Sequence, residues 1–180
     1  IYDKSNQELA DSEEIGISFS YLNLFRNLSF TESITEVLLS KPNFSLKQNK
    51  EGVWNFKDLI SPDKSSDEDF YGKVKIVKGK ATITVPEKTI FFDNINGLVD
   101  FITIKNYDID LALTTEESMV TVAGNWGQDN TLKVNVNNGN IENYTAFIPQ
   151  NNDFKIINGN INNLELTITG SDDEFKVQGM

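Results

Sequence analysis

The acidic side chains of this sequence crowd most densely in two runs, Asp67-Glu68-Asp69 and Asp172-Asp173-Glu174. Neighbouring carboxylates can share a proton for general acid-base chemistry or ligate calcium, but acid-base work requires burial or a like charge held close. Both runs stand beside serine in turn-like sequence, where carboxylates stay hydrated. Neither carries the D-x-[DN]-x-[DN]-G spacing of a calcium loop. Histidine and cysteine are both absent, at 0 each. The commonest general base, the thiol nucleophile and the usual nitrogen and sulfur ligands of transition metals are thereby missing. These residues point away from an enzyme and imply no metal and no cofactor.

The other candidate groups are equally spare. Asn-x-Ser/Thr triplets at Asn27, Asn43 and Asn143 occur in a chain so rich in asparagine that chance matches are expected. Phe91, Phe92, Phe101, Tyr107, Trp126 and Tyr144 could form a platform for a sugar. Phe92 and Phe101 are expected instead to fill the core, with Trp126 the most exposed of the set. The chain has 16 basic residues, all lysine except Arg26, against 27 acidic ones, for a net charge of -11. The lysines are interspersed with acids rather than grouped, so no nucleic acid is expected as a partner. Docking on anionic headgroups by charge alone is disfavoured for the same reason.

The elements that must carry any site are strands. Apolar residues recur at every second position in Ile15, Ile17, Phe19; in Val74, Ile76; and in Ala81, Ile83, Val85. The same alternation runs through Ile109, Leu111, Leu113; Val120, Val122; Leu132, Val134, Val136; and Leu164, Leu166, Ile168. Polar residues fill the intervening positions, which predicts antiparallel strands with one apolar and one wet face. Turns are expected at Lys78-Gly79-Lys80, Asp93-Asn94, Gly127 to Asn130, Asn137 to Asn140 and Ser171 to Asp173. A weak echo of Ile95-Asn96-Gly97 in Ile157-Asn158-Gly159 suggests a sheet extended by serial hairpins. Short helices are expected at Leu22 to Leu28, Asn55 to Ile60 and Asn143 to Phe147. The run SPDKSSDED lacks any apolar residue and reads as an exposed linker at 61–69, between an N-terminal strand and short-helix region at 1–60 and a β-rich region at 70–180. The chain opens on Ile1 and has no apolar run of about 18 residues, as expected of a segment of a longer protein.

The stretch LLSKPNFSLKQNKEGVWNFKDLI resembles the strand-turn signature of the AsmA-like superfamily, in which Pro42, Gly52, Trp54, Asn55 and Leu59 match and Glu51 replaces an aspartate. Tyr71 to Gly79 resembles the strand that opens such a module, and Ala123-Gly124, Ile168-Thr169-Gly170 and Gln178-Gly179 resemble its strand ends. The resemblance to AsmA/TamB-type envelope proteins implies a curved, folded-over antiparallel sheet, the β-taco, with one to three short helices. Its apolar groove would carry phospholipid between inner and outer membranes in outer-membrane biogenesis. The implied location is the periplasm, with an inner-membrane anchor elsewhere in the parent protein and an outer-membrane β-barrel protein as a further partner.

On that reading the residues of consequence are inward-facing aliphatics that hold phospholipid or fatty acyl chains. They are Ile15, Ile17, Phe19, Val74, Ile76, Ile83, Val85, Ile109, Leu111, Leu113, Val120, Val122, Leu132, Val134 and Val136. Trp54 and Asn55 would be structural, closing a turn onto the first strands. The alternative is a structural or adhesive β-sandwich of a surface protein that binds protein or glycan through its loops.

Overall fold

The computed structural model describes residues 8–25, 30–56, 70–86, 88–103, 106–127, 130–143, 159–171 and 174–179. Nine strands form one open, curved sheet in the order of the chain, β1 to β9. They are β1 (Ala10–Phe19), β2 (Ile34–Lys47), β3 (Gly72–Val85), β4 (Lys88–Thr103), β5 (Asn106–Thr114), β6 (Met119–Trp126), β7 (Thr131–Asn140), β8 (Asn160–Ser171) and β9 (Glu174–Gly179). Two short helices, α1 (Tyr21–Phe25) and α2 (Phe30–Ser33), join β1 to β2. The described strands make one sheet rather than the two of a sandwich.

From β3 to β9 each strand pairs antiparallel with the next, the serial addition that the alternating pattern and its turns suggest. One pair departs from an all-antiparallel sheet: β2 and β3 run parallel, Glu36 opposite Lys73 through Lys47 opposite Thr84. A parallel pair needs a crossover of a dozen or more residues, and the chain between Lys47 and Gly72 supplies it. The linker at 61–69 falls in this crossover, outside the described residues. The regions at 1–60 and 70–180 therefore share a single sheet through the β2–β3 ladder.

Three of the expected turns lie inside continuous strands, two of them at register shifts in the β3–β4 and β4–β5 ladders. Lys78 and Asn94 adopt the left-handed conformation within β3 and β4, at φ 54° and 51°, and Asn138 does so in β7 at φ 56°. Lys41 does the same in β2, at φ 48°. One left-handed residue shifts the alternation by a position, so Ile76 and Ala81 reach the same face although an even number of residues separates them. That shared face is visible in their packing, since Ile76, Ala81 and Ile95 form one buried cluster.

The left-handed residues of β2, β3 and β4 line up, and the inside of this corner is dry. Pro42 is fully buried. A Cβ on Gly79 would lie 3.1 Å from the Pro42 ring and 3.0 Å from Ile76 Cγ2, so the strands approach closely here and a side chain would make Pro42 or Ile76 give way. Proline survives inside β2 because the β2–β3 ladder skips from Ser40–Val77 to Asn43–Lys80, leaving no bond for its missing N–H. Outside the corner, Lys78 N–H donates to Asn96 Oδ1 at 2.9 Å, and Lys80 pairs with Asp93 at 3.4 Å.

The loop after β2 shows how the Gly-Trp-Asn stretch works. Asn49 Oδ1 accepts from the N–H groups of Glu51 and Val53, both at 2.9 Å, and Gly52 turns the chain at φ 79°. Asn55 then imitates a neighbouring strand. Its Nδ2 donates to Ser45 O, its Oδ1 accepts from Lys47 N–H, both at 2.9 Å, and its own N–H donates to Lys47 O at 2.8 Å. Residues 55 and 56 form a turn rather than a helix, with Trp54 and Phe56 stacked at 5.5 Å, and residues 57–60 lie outside the described residues. Of the other expected helices, Leu22 to Leu28 is helical over its described part within α1, with residues 26–28 outside the described residues, and Asn143 to Phe147 lies outside them except for Asn143, which ends a 3-10 turn at Ile141–Asn143. Asn55→Ala removes both side-chain bonds and is expected to cost about 2 kcal/mol. A urea titration should show a lower midpoint with an unchanged slope.

Candidate functional site

The register brings fourteen of the fifteen expected groove residues to one face, while Phe19 follows a shift in the β1–β2 register and packs on Phe30 of α2. One row crosses the sheet as Ile17, Val37, Val74, Val99, Ile109, Gly124, Leu132 and Ile168. The next runs Ile15, Leu39, Ile76, Gly97, Leu111, Val122, Val134 and Leu166. A third, shorter row joins Leu113, Val120, Val136 and Leu164. Beyond the corner, Leu46, Ile83 and Ile90 continue the same face, with Val85 two residues past Ile83.

Two buried clusters sit on this face. Phe44, Phe92, Leu111 and Leu113 pack on Ile76, Ala81 and Ile95. Leu113 also packs on the second cluster, Val120, Val136 and Ile161, together with Val122, Val134, Ile141 and Leu164. The apolar surface is thus continuous from the corner to β8.

Its burial is uneven in an informative way. Ile76, Val85, Val120 and Val136 are buried, while Phe19, Val74, Ile83, Ile109, Leu111, Leu113, Val122, Leu132 and Val134 are half-buried. Ile15 and Ile17, on the edge strand β1, are 59% and 47% exposed. This partial burial is what neighbours within one sheet provide where the described residues stack no second layer on it.

The opposite face is wet. Lys73 pairs with Asp100 at 3.4 Å, and Asn125 Nδ2 donates to Asp108 Oδ1 at 2.7 Å. Side chains such as Lys75, Asp110, Lys133 and Lys176 are exposed to water. Polar residues also gather at the β7–β8 end, where Glu117, Asn138, Asn140, Asn160 and Asn162 line an open depression of about 410 Å³.

The remaining candidates are now placed. Asp67 to Asp69, Asp172 and Asp173, and Tyr144 lie outside the described residues. Among the described residues no three Asp or Glu side chains group so as to hold a metal ion. Phe92 packs in the first cluster, and Phe101 lies half-buried between Phe70 and Tyr107, at ring distances of 5.5 and 5.6 Å. Trp126 is half-buried rather than exposed. The well-exposed aromatics are Tyr21, Phe25, Phe30, Tyr71 and Phe91.

Sequence reasoning missed the contributions of β2 and β4 to this face. In β2 the run Val37-Leu38-Leu39 hides the alternation, and in β4 the bulge at Asn94 breaks it between Phe92 and Ile95. The usable signal was the change of phase itself, period two on either side of a lysine or asparagine. No family model, curated protein or solved structure matches the chain.

Proposed function

We propose that this chain is a periplasmic segment of an AsmA/TamB-like envelope protein whose apolar face shelters phospholipid acyl chains in transit between inner and outer membranes. The observation that supports this most is the single apolar face running across the sheet, half-buried along its middle and ending at exposed Ile15 and Ile17. A soluble protein seldom leaves such a surface to water unless a ligand or partner uses it. Hydrocarbon is the ligand that suits it, because the face offers aliphatic side chains and no polar anchor among its central rows.

The energetics fit a conduit that needs no catalytic group. Carrying an acyl chain through water costs about 0.8 kcal/mol per methylene, roughly 12 kcal/mol for a typical chain. A face of valine, isoleucine and leucine lowers that cost wherever it replaces water, and its strand repeat gives no position a special affinity. The lipid can then move along it. The curvature produced by the corner at Lys41, Lys78 and Asn94 helps by turning the two parts of the face toward a common ligand.

Titration of the full chain with a fluorescent long-chain fatty acid tests the reading. Saturable binding that a non-fluorescent fatty acid displaces is the expected result. A chain that leaves the probe in water, at protein concentrations where known fatty-acid carriers saturate, does not shelter hydrocarbon.

A further inference from the structure

The two ends of the sheet differ in chemistry. Where β1 stops and β2 and β3 begin lie α1 and α2, and on the same end stand Phe70, Tyr71, Phe101, Ile102, Tyr107 and Trp126. Rings touch along this rim: Phe19 meets Phe30 at 5.0 Å, Phe70 meets Phe101 at 5.5 Å, and Phe101 meets Tyr107 at 5.6 Å. The far end carries Lys47, Lys50, Glu51, Glu116, Glu117 and Glu142, all exposed.

Beyond the rim the helices project apolar side chains into water. Tyr21, Leu22, Phe25 and Phe30 are 75%, 71%, 85% and 63% exposed. The helix pair is held to the sheet by Ser20 N–H donating to Ser33 O at 2.8 Å and by the Phe19–Phe30 contact, neither of which uses those four exposed faces fully. Between Ser20 and Ser33 the sequence has one basic and one acidic residue, Arg26 and Glu32, which cancel, although the whole chain has a net charge of -11. The helix pair and its connection therefore carry no net charge.

We propose that this end of the molecule docks on the surface of an electroneutral phospholipid bilayer, with α1 and α2 inserted and the tyrosines and tryptophan behind them at headgroup level. Leucine and phenylalanine in the acyl boundary with tyrosine and tryptophan above them is the depth order that amphipathic rings and aliphatic chains adopt at a membrane. Charge selects the occupant: a chain this acidic is repelled by anionic lipid, whereas a tip whose one basic and one acidic residue cancel suits a zwitterionic surface. Continuity supports it as well, because Ile17 and Ile15 lead from the helix pair directly onto the apolar rows of the sheet. The proposal deepens the lipid-sheltering reading, from which it takes its purpose: the face would open at the membrane that supplies or receives the lipid.

The test is flotation of the full chain with phosphatidylcholine vesicles in a density gradient, at low and at high salt. Wild type is expected to float at both, since the attraction is apolar. The double variant Leu22→Asp/Phe25→Asp should lose at least about tenfold in partition, while Phe91→Asp, an exposed ring at the far end, should float as wild type does. Both positions of the double variant are highly exposed, so its far-UV circular dichroism should match wild type. Wild type that stays at the bottom of the gradient, or equal loss in Phe91→Asp, overturns the proposal. So does a wild-type dimer that the double variant dissolves without any flotation, which would make the tip a contact between copies. Probe titration of the same samples separates the two readings: a chain that floats but takes no fatty acid ends the sheltering reading alone, and one that takes fatty acid but does not float ends the docking alone.

Discussion

Leu111→Asp is expected to weaken binding of a fatty-acid probe by at least about 100-fold, which corresponds to about 2.7 kcal/mol, while the chain still folds. Leu111 stands in the middle of its row, between Gly97 on β4 and Val122 on β6, and packs on the Ile76, Ala81 and Ile95 cluster. It is half-buried. A carboxylate there must either lose its water to a bound acyl chain or hold water where the chain should lie, and both outcomes oppose hydrocarbon binding. The folded apo state suffers less, because this side chain is only half-buried; about 2 kcal/mol of stability should be lost with the truncated contacts. Val134→Asp, on β7 and also half-buried, guards against an unfolded variant and should behave alike. If both variants fold and bind the probe as wild type does, hydrocarbon does not lie along these rows. If both unfold, the positions belong to a core and the sheltering face loses its support.

Gly97→Ala should produce the largest loss of stability, at least about 4 kcal/mol. Gly97 sits inside β4 at φ 151°, opposite Leu111, and a Cβ there would lie 2.1 Å from Asp110 O and 2.8 Å from Leu111 Cα. Those are backbone atoms of β5, so relief requires the two strands to separate. The β4–β5 ladder lies midway in the sheet, and opening it disconnects the packing that Leu111 and Leu113 give to the first cluster. Gly16→Ala provides the comparison. A Cβ at Gly16 would meet Leu38 at 3.4 Å, an ordinary contact, on the edge strand β1, so its effect should be within about 0.5 kcal/mol. Equal urea midpoints for the two variants would mean that the close approach at Gly97 is not part of the folded chain.

Alternation alone was sufficient to place the apolar face, because period two is a direct consequence of the pleat and survives in any sheet that wets one side. Ile109, Leu111 and Leu113 on β5, and Leu132, Val134 and Val136 on β7, were readable in this way, as was the serial pairing of β3 to β9. The corner was not. Lys78-Gly79-Lys80, Asp93-Asn94 and Asn137 to Asn140 have the composition of hairpin turns, and what keeps them inside strands is pairing on both sides with neighbouring strands, a nonlocal condition. The parallel β2–β3 pair was hidden for a related reason: strand direction depends on where the crossover at 48–71 returns, which alternation does not encode. Proline is rare inside strands, yet β2 runs past Pro42 by exploiting a gap in its ladder. The exposed aromatics went unnoticed because an apolar run such as Leu22 to Leu28 does not say which of its side chains find a partner in the fold.

Mass spectrometry of the lipids retained by the purified full chain bears most directly on the claim that one apolar face of this sheet shelters hydrocarbon. Phospholipid or fatty acid should be recovered by solvent extraction in near-stoichiometric amount from wild type, and in strongly reduced amount from Leu111→Asp. Folded wild-type chain that yields no lipid, and acquires none when incubated with vesicles, would contradict the account.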